Sequence, residues 1–393
     1  MLTDEKIRNK ENKGVTRRNF FGATLGSIAA TPLFFQTVRE TLAAPSMNTT
    51  EDHTVRLNMN ENPFGPSPRA MLAAEKNIGR SNLYLGATIE KLYSALMQNN
   101  SITKDTIILG TGSWEILRTA LLVCFENGGN VVSTRQTFKP PLDYAKHLGF
   151  ILKKVDHTID PQGHWQYNIE GLLEAVDSQT RLLYLVNPNN PTGSWLDYQQ
   201  LKYIADSLPP EVLFLIDEAY IHFLGNVPKN GIDLIKEGYK NVLVTRTFSK
   251  VYGLAGLRVG YGVSHADVIK RLKRLQKFTI DFLSINTTGY HGAIAALKDT
   301  MFVSKSNRQV QKTLSFYKER LPVLGLPYII GAGPFVMVDV KTDADIVVEK
   351  MAKKNILVMG GKDWEMPTYI RISYGTDADN QRAIHALRHA VSG

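Results

Sequence analysis

From about Thr106 to Thr245 the chain alternates short runs of consecutive apolar residues with longer stretches of helical periodicity. The runs are Thr106–Leu109, Asn130–Ser133, Arg181–Val186, Val212–Ile216 and Asn241–Thr245. They are apolar on successive positions rather than alternate ones, which predicts strands buried on both faces. Between them, Trp114–Phe125, Pro141–His147, Ile169–Ala175 and Tyr198–Ser207 carry the spacing of amphipathic helices. Strand and helix in alternation predict an α/β fold: a mainly parallel sheet with helices on both faces.

The pattern changes near Tyr290. A long helical stretch runs from Gly292 to about Glu319. Strand-like Gly333–Val340, a helix near Ala344–Lys354, strand-like Ile356–Met359 and Tyr369–Tyr374, and a final helix follow. This reads as a smaller α+β domain. The expected division is 1–43 as a leader, 44–75 as an N-terminal arm and part of the small domain, 76–290 as the large domain, and 291–393 as the small domain.

The leader has its own pattern. A polar, basic start ends in Thr16-Arg17-Arg18-Asn19-Phe20-Phe21. A moderately apolar stretch reaches about Phe35, and Thr41-Leu42-Ala43-Ala44 closes it. A charged start, an apolar middle and a small-residue end make a secretory signal. The arginine pair before two phenylalanines resembles a twin-arginine export signal. Cleavage is expected near Ala43, and the protein is expected to be periplasmic or otherwise exported, with a cytoplasmic location as the alternative. Residues 1–43 hold seven Lys/Arg and four Asp/Glu, so their removal takes the formal charge from +9 to +6.

Composition narrows the function classes. With 393 residues, 43% of them hydrophobic, and 36 aromatics (4 Trp, 16 Tyr, 16 Phe), the chain can bury a large core, which excludes wholesale disorder. No apolar run reaches the roughly 18 residues of a membrane span. One cysteine, Cys124, excludes an intrachain disulfide and a cysteine-based zinc site, and no metal is expected. The Lys and Arg residues are scattered, with no basic block interleaved with aromatics, so the positive charge reads as solvated surface rather than a nucleic-acid footprint.

In an open parallel sheet, ligands bind beyond the carboxyl ends of the strands. After Thr106–Leu109 comes Gly110-Thr111-Gly112-Ser113, a glycine turn into a helix, with Ser113 placed to cap it. After Arg181–Val186 comes Asn187-Pro188-Asn189-Asn190-Pro191-Thr192-Gly193. After Val212–Ile216 comes Asp217-Glu218-Ala219-Tyr220, an acid placed directly behind five apolar residues. After Asn241–Thr245 comes Arg246-Thr247-Phe248-Ser249-Lys250, and then Leu254-Ala255-Gly256-Leu257-Arg258. Taken singly, each has a plain structural reading as a turn, a cap or a surface lysine. Together they gather an anion cradle, an acid, an amide, a phenol and a lysine at one sheet edge. That set suits pyridoxal 5′-phosphate, which needs a lysine Schiff base and an acidic partner for its ring nitrogen.

The Asn-Pro-x-Asn-Pro-Thr-Gly, Asp-Glu-Ala-Tyr and Ser-Lys-x-x-x-Leu-Ala-Gly-Leu-Arg motifs, in this order and spacing, resemble the fold-type I aminotransferases of class I/II. The segment Asn58-Met59-Asn60-Glu61-Asn62-Pro63-Phe64-Gly65-Pro66 and Gly112-Ser113-x-Glu115 resemble the histidinol-phosphate aminotransferase group. The resemblance covers about residues 55–390. It implies that Lys250 holds the cofactor and moves the substrate proton, and that Asp217 pairs with the ring nitrogen. Tyr220 and Asn190 would hydrogen-bond the cofactor's phenolic oxygen. Gly112, Ser113, Trp114, Thr247, Ser249 and Arg258 would surround its phosphate, and Phe138 would stack on its ring. Tyr84 would reach the phosphate from a second copy, implying a homodimer. Arg371, Asn190 and Asn60 would hold the substrate.

The implied reaction is transfer of the amino group of histidinol phosphate to 2-oxoglutarate, in amino-acid biosynthesis. One position departs from the group. Many members carry an arginine where this chain has Met359-Gly360-Gly361, and the sequence leaves open whether another cation such as Lys362 compensates. That departure and the export signal favour, as an alternative, an exported enzyme for an unphosphorylated amino acid such as an aromatic one. A decarboxylase or lyase on the same fold is a further alternative, and a non-catalytic sensor or scaffold a third.

Overall fold

The computed structural model describes residues 54–125, 128–279 and 284–392. The leader, 1–43, lies outside the described residues. Val55–Arg56 forms β1, Ile107–Gly110 β2, Asn130–Thr134 β3, Ile151–Val155 β4, and the short pair Thr158–Ile159 and Trp165–Gln166 β5 and β6. Thr180–Val186 is β7, Leu213–Asp217 β8, Val242–Thr247 β9 and Gly260–Ser264 β10. Tyr328–Ile330 is β11, Phe335–Asp339 β12, Ile356–Leu357 β13, Met359–Gly360 β14 and Tyr369–Ser373 β15.

The large sheet has seven strands in the order β2-β10-β9-β8-β7-β3-β4. The pairs within β9-β8-β7-β3-β4 are all parallel, and only β10 runs against its neighbours β2 and β9. The α/β expectation therefore holds, with one antiparallel strand inserted. Every residue of β8 and β9 is buried, as successive apolar positions require when helices cover both faces. The carboxyl ends Gly110, Thr134, Val186, Asp217 and Thr247 share one edge of the sheet, and the amino end of β10, Gly260, pairs with Gly110 and Thr247 there.

The small sheet is antiparallel, in the order β11-β12-β15-β14. Its core gathers Val336, Val338, Ile370, Ile372, Val347 and Leu387. The N-terminal arm joins it: β1 pairs in parallel with β13, and Ser373 N donates to Leu57 O at 2.9 Å. The stretch read as one helix from Gly292 is two, Thr287–Leu297 and Thr300–Val323. Asp299 breaks it, because its side chain accepts from Phe302 N and starts the second helix. The change of style at Tyr290 falls inside the first of these helices, whose Ala293 and Ala296 belong to the large core. The second helix spans both cores, with Val310 in the large one and Tyr317 in the small one.

At one point between the two sheets backbone touches backbone. Ala332 N donates to Gly193 O at 2.7 Å, and a Cβ on Gly193 would stand 2.8 Å from Gly331 Cα. Among the described residues, no helix is long and apolar enough to cross a membrane.

Candidate active site

A cavity of about 610 Å³ opens at the strand ends between the two sheets. Of the residues singled out from the sequence, Ser113, Trp114, Phe138, Asn190, Asp217, Tyr220, Thr247, Ser249, Lys250, Arg258, Arg371 and Asn60 all line it. Gly112 stands one residue behind the lining. Tyr84 does not line the cavity and is 81% exposed.

Asp217 ends β8 and is buried. Its Oδ1 accepts from Thr245 Oγ1 at 2.9 Å. Burial pushes its carboxyl up to about 6, against the pull of the Thr245 hydrogen bond, the Ala219 backbone and the Lys250 charge. A buried carboxylate in this state still gains from a further cationic partner. Lys250 follows β9, and its Nζ donates to Met59 O at 2.9 Å. Burial pulls its ammonium down to about 8, helped by the positive charge of Arg371 and opposed by Glu61 and Asp217. Its supply of neutral amine near neutral pH is therefore far larger than that of an ordinary lysine.

Tyr220 Oη accepts from Asn60 Nδ2 at 2.9 Å, while Asn190 Nδ2 is at 3.5 Å, the limit of a hydrogen bond. Burial raises the phenol, and the Arg371 charge and the Asn60 bond oppose that. Asn60 is itself pinned, its backbone N donating to Ser373 Oγ at 3.0 Å and its Oδ1 accepting from the same hydroxyl at 2.6 Å. Arg371 sits on β15. Its Nη1 donates to Asn190 Oδ1 at 2.6 Å and its Nη2 to Asn58 O at 2.5 Å. The guanidinium lies 5.6 Å from the Phe335 ring and 5.0 Å from the Trp364 ring. Its Nε is buried without a partner, a donor left for a ligand.

The anion cradle is built from backbone. Gly112 has φ +78° and precedes the helix Ser113–Cys124. A Cβ there would stand 2.5 Å from Arg258 Nη2, and a Cβ on Gly260 would collide with Ser113 N. Only glycine lets Arg258 and β10 approach this closely. Arg258 also donates to Thr111 O at 3.2 Å and Ala255 O at 3.0 Å. Thr247 Oγ1 donates to Ser249 Oγ at 2.9 Å.

One local expectation is corrected. Ser113 does not cap the helix: Gly112 occupies that position with no side-chain bond, and Ser113 is the first helical residue. Glu115 instead braces the turn from inside the helix, accepting from Thr111 N at 2.6 Å and Thr111 Oγ1 at 2.7 Å. The turn is thus held from below, leaving the helix's first N–H groups to an anion. Lys362 does not stand in for the missing arginine. It pairs with Asp345 at 2.6 Å and Asp343 at 3.1 Å, and it does not line the cavity.

Sequence reasoning missed several lining residues. Glu61, held bidentately by Arg56 at 2.8 and 2.9 Å, lay inside a segment quoted for its resemblance but was given no role of its own. Lys139, Asp363 and Trp364 belong to no motif. Asn189 ties two loops together: it accepts from Thr137 Oγ1 at 2.9 Å and donates to Gln136 O at 2.7 Å.

These residues fit pyridoxal 5′-phosphate. The glycine cradle, the helix N-terminus and Arg258 suit its phosphate, and the desolvated Asp217 suits a protonated ring nitrogen. Lys250, with its lowered pKa, suits its aldehyde.

The comparisons with known proteins agree with this geometry. The family described as "Aminotransferase class I and II" matches residues 52–387. A histidinol-phosphate aminotransferase of Nitrosococcus oceani is 35% identical over 334 residues, covering 85% of this chain and 88% of that protein. One from Caldicellulosiruptor saccharolyticus is 31% identical over 341 residues, covering 86% and 92%. The crystal structure of histidinol-phosphate aminotransferase from Sinorhizobium meliloti, in complex with pyridoxal 5′-phosphate, superposes with a TM-score of 0.77 at 27% identity, covering 86% of this chain and 91% of that one. With its lysine, acid and phosphate cradle gathered in one cavity, the chain belongs to the class I and II aminotransferases and is a pyridoxal 5′-phosphate-dependent enzyme.

Proposed function

We propose that the protein transfers the amino group of histidinol phosphate to 2-oxoglutarate. The observation that carries this reading is the likeness to relatives of that name along 85–86% of the chain. When bound, pyridoxal 5′-phosphate supplies the electron sink that makes the substrate's α-C–H acidic. Lys250 would hold the cofactor's aldehyde carbon and, once the substrate amine frees it, would act as the base that takes the α-carbon proton and as the acid that gives it back. Asp217 would pair with the ring nitrogen and favour its protonated form, and Tyr220 and Asn190 would hydrogen-bond the phenolic oxygen. Arg371 binds the anionic group of the substrate.

The test follows the visible absorption band of the loaded protein on adding histidinol phosphate. Rapid loss of the band, restored by 2-oxoglutarate, is expected. Lys250→Ala abolishes both the band and turnover. An unchanged spectrum in that variant overturns the assignment.

Met359 favours a second reading. It faces Arg371 across the β14–β15 pair and brings no charge to the cavity. On this reading the amine donor is an unphosphorylated, aromatic amino acid, and the band is lost with that donor alone.

The same proposal includes a homodimer in which Tyr84 of the partner subunit approaches the cofactor phosphate. In support, Tyr84 is exposed, as are Leu83, Ile78 and Met71 near it in the chain. It also includes export through the twin-arginine leader, supported by the Arg17-Arg18 pair.

A further inference from the structure

The cavity wall carries one cation that the reaction above does not use. Lys139 directly precedes the helix Pro140–Leu148 and lines the cavity beside Phe138. Its Nζ stands 3.6 Å from Asp363 Oδ1 and 4.0 Å from Asp143 Oδ2. Both separations lie beyond hydrogen-bond reach, and ion pairs this long and this exposed are weak.

The other cations of the cavity each already make hydrogen bonds, Arg371 keeping only its Nε free. Lys250 donates to Met59 O, Arg258 to Thr111 O and Ala255 O, and Arg371 to Asn190 and Asn58. Among the described residues, Lys139 is the cavity-lining cation whose side chain makes no hydrogen bond. At 40% side-chain exposure it stands at the rim, on a stem of four flexible carbons.

Lys139 can leave Asp363 without disturbing the wall. The turn Asp363-Trp364-Glu365 is docked separately, because Glu365 pairs with Lys154 at 2.8 Å and Arg135 at 3.2 Å. Trp364 lies against Arg371, 5.0 Å from its guanidinium, independently of Lys139. Nearby, Met359 offers no charge and Lys362 is held by Asp343 and Asp345.

We propose that Lys139 is a second cation for the phosphate of the donor, acting with Arg371 and setting the preference for a phosphorylated donor, exchanging its loose contact with Asp363 for a hydrogen-bonded one with the phosphate oxygens. The proposal rests on histidinol phosphate being the donor. Asp363 serves as the resting counter-ion, and its negative charge competes with the substrate for the ammonium.

The test compares histidinol phosphate with histidinol on the wild type, Lys139→Met, Lys139→Arg and Asp363→Asn. Binding is read by tryptophan fluorescence on protein loaded with pyridoxamine 5′-phosphate, which cannot react with an amine donor. KM ratios are read on the pyridoxal form. Lys139→Met should weaken histidinol phosphate about tenfold relative to histidinol, the loss of one charge-assisted contact. Lys139→Arg should restore most of the preference, and Asp363→Asn should increase it a few-fold. If the wild type prefers the phosphorylated donor and Lys139→Met keeps that preference, the assignment of Lys139 falls and the function stands. If the wild type binds histidinol phosphate no better than histidinol, the phosphorylated donor falls and Lys139 with it.

Discussion

Arg371 and Asn190 are bonded across the two sheets, Nη1 to Oδ1 at 2.6 Å. The arginine is anchored on β15 and the asparagine follows β7, so this one bond joins the substrate's anion receptor to the loop beside the cofactor. Phe335 and Trp364 flank the guanidinium and keep its plane from turning. Lysine can match the charge at this position but not the fork. We expect Arg371→Lys to lower kcat/KM for the donor by about 10- to 100-fold, the loss of a charge-assisted bidentate contact. The absorption band of the bound cofactor should be unchanged. Normal kcat/KM in that variant would show that the anion binds elsewhere.

Burial holds Lys250 down to about 8 in the cofactor-free protein. Only the neutral amine attacks an aldehyde. The rate of cofactor capture by apoprotein should therefore rise with pH and reach half its plateau near pH 8. Stopped-flow absorbance between pH 6 and pH 10 measures it, and a midpoint near the ordinary lysine value of about 10.4 would contradict the desolvated environment.

Much of the site was legible because its residues follow the strands directly. A run such as Val212–Ile216 is too short for a typical helix and, set among similar runs alternating with helices, reads as a buried strand with Asp217 at its end. What the sequence hid were elements without such a run. β10 holds Gly260 and Gly262 and follows a glycine-rich loop, so its strand pattern is masked. β4 is an edge strand whose Lys153 and Lys154 are drawn to ion pairs, which breaks the apolar pattern. Lys139 and Trp364 carry no local signature at all; tertiary pairing between distant turns puts them in the cavity.

Asp217 titrates upward, to about 6, because burial opposes its charge. Its folded value lies above the unfolded value of about 3.9. The folded apoprotein therefore binds the extra proton between these values, and the stability this carboxyl contributes is lost as pH rises from about 4 to about 6. Asp217→Asn carries no such charge. Its Tm relative to the parent apoprotein should increase over that interval, as followed by calorimetry. Transamination should fall by at least about 100-fold, on the scale of removing one preorganised charge contact. A flat Tm difference would show that Asp217 is not desolvated.

Gly112→Ala places a methyl group against Arg258 and into a left-handed backbone. Strain of about 1–3 kcal/mol is expected, felt where the phosphate binds. The dissociation constant of pyridoxal 5′-phosphate should rise by about tenfold or more. Equilibrium dialysis measures it, and unchanged affinity would exclude this loop as the phosphate cradle.

Replacing Arg17 and Arg18 together by lysine should keep the protein in the cytoplasm. Cell fractionation reads this directly. Undiminished export of the doubly substituted chain would overturn the twin-arginine assignment.

The seam between Gly193 and Gly331 makes two distant positions into one locus of change. Gly193 has φ +72° and cannot accept a side chain easily, whereas Gly331 is barred only by the backbone it touches. Gly331→Ala is therefore a one-carbon wedge, driven in at the loop that carries Asn190 and so close to the grip of Arg371. For an engineer seeking a roomier cavity, this is a lever outside the lining: it would widen the gap between the sheets while every residue facing the substrate kept its identity.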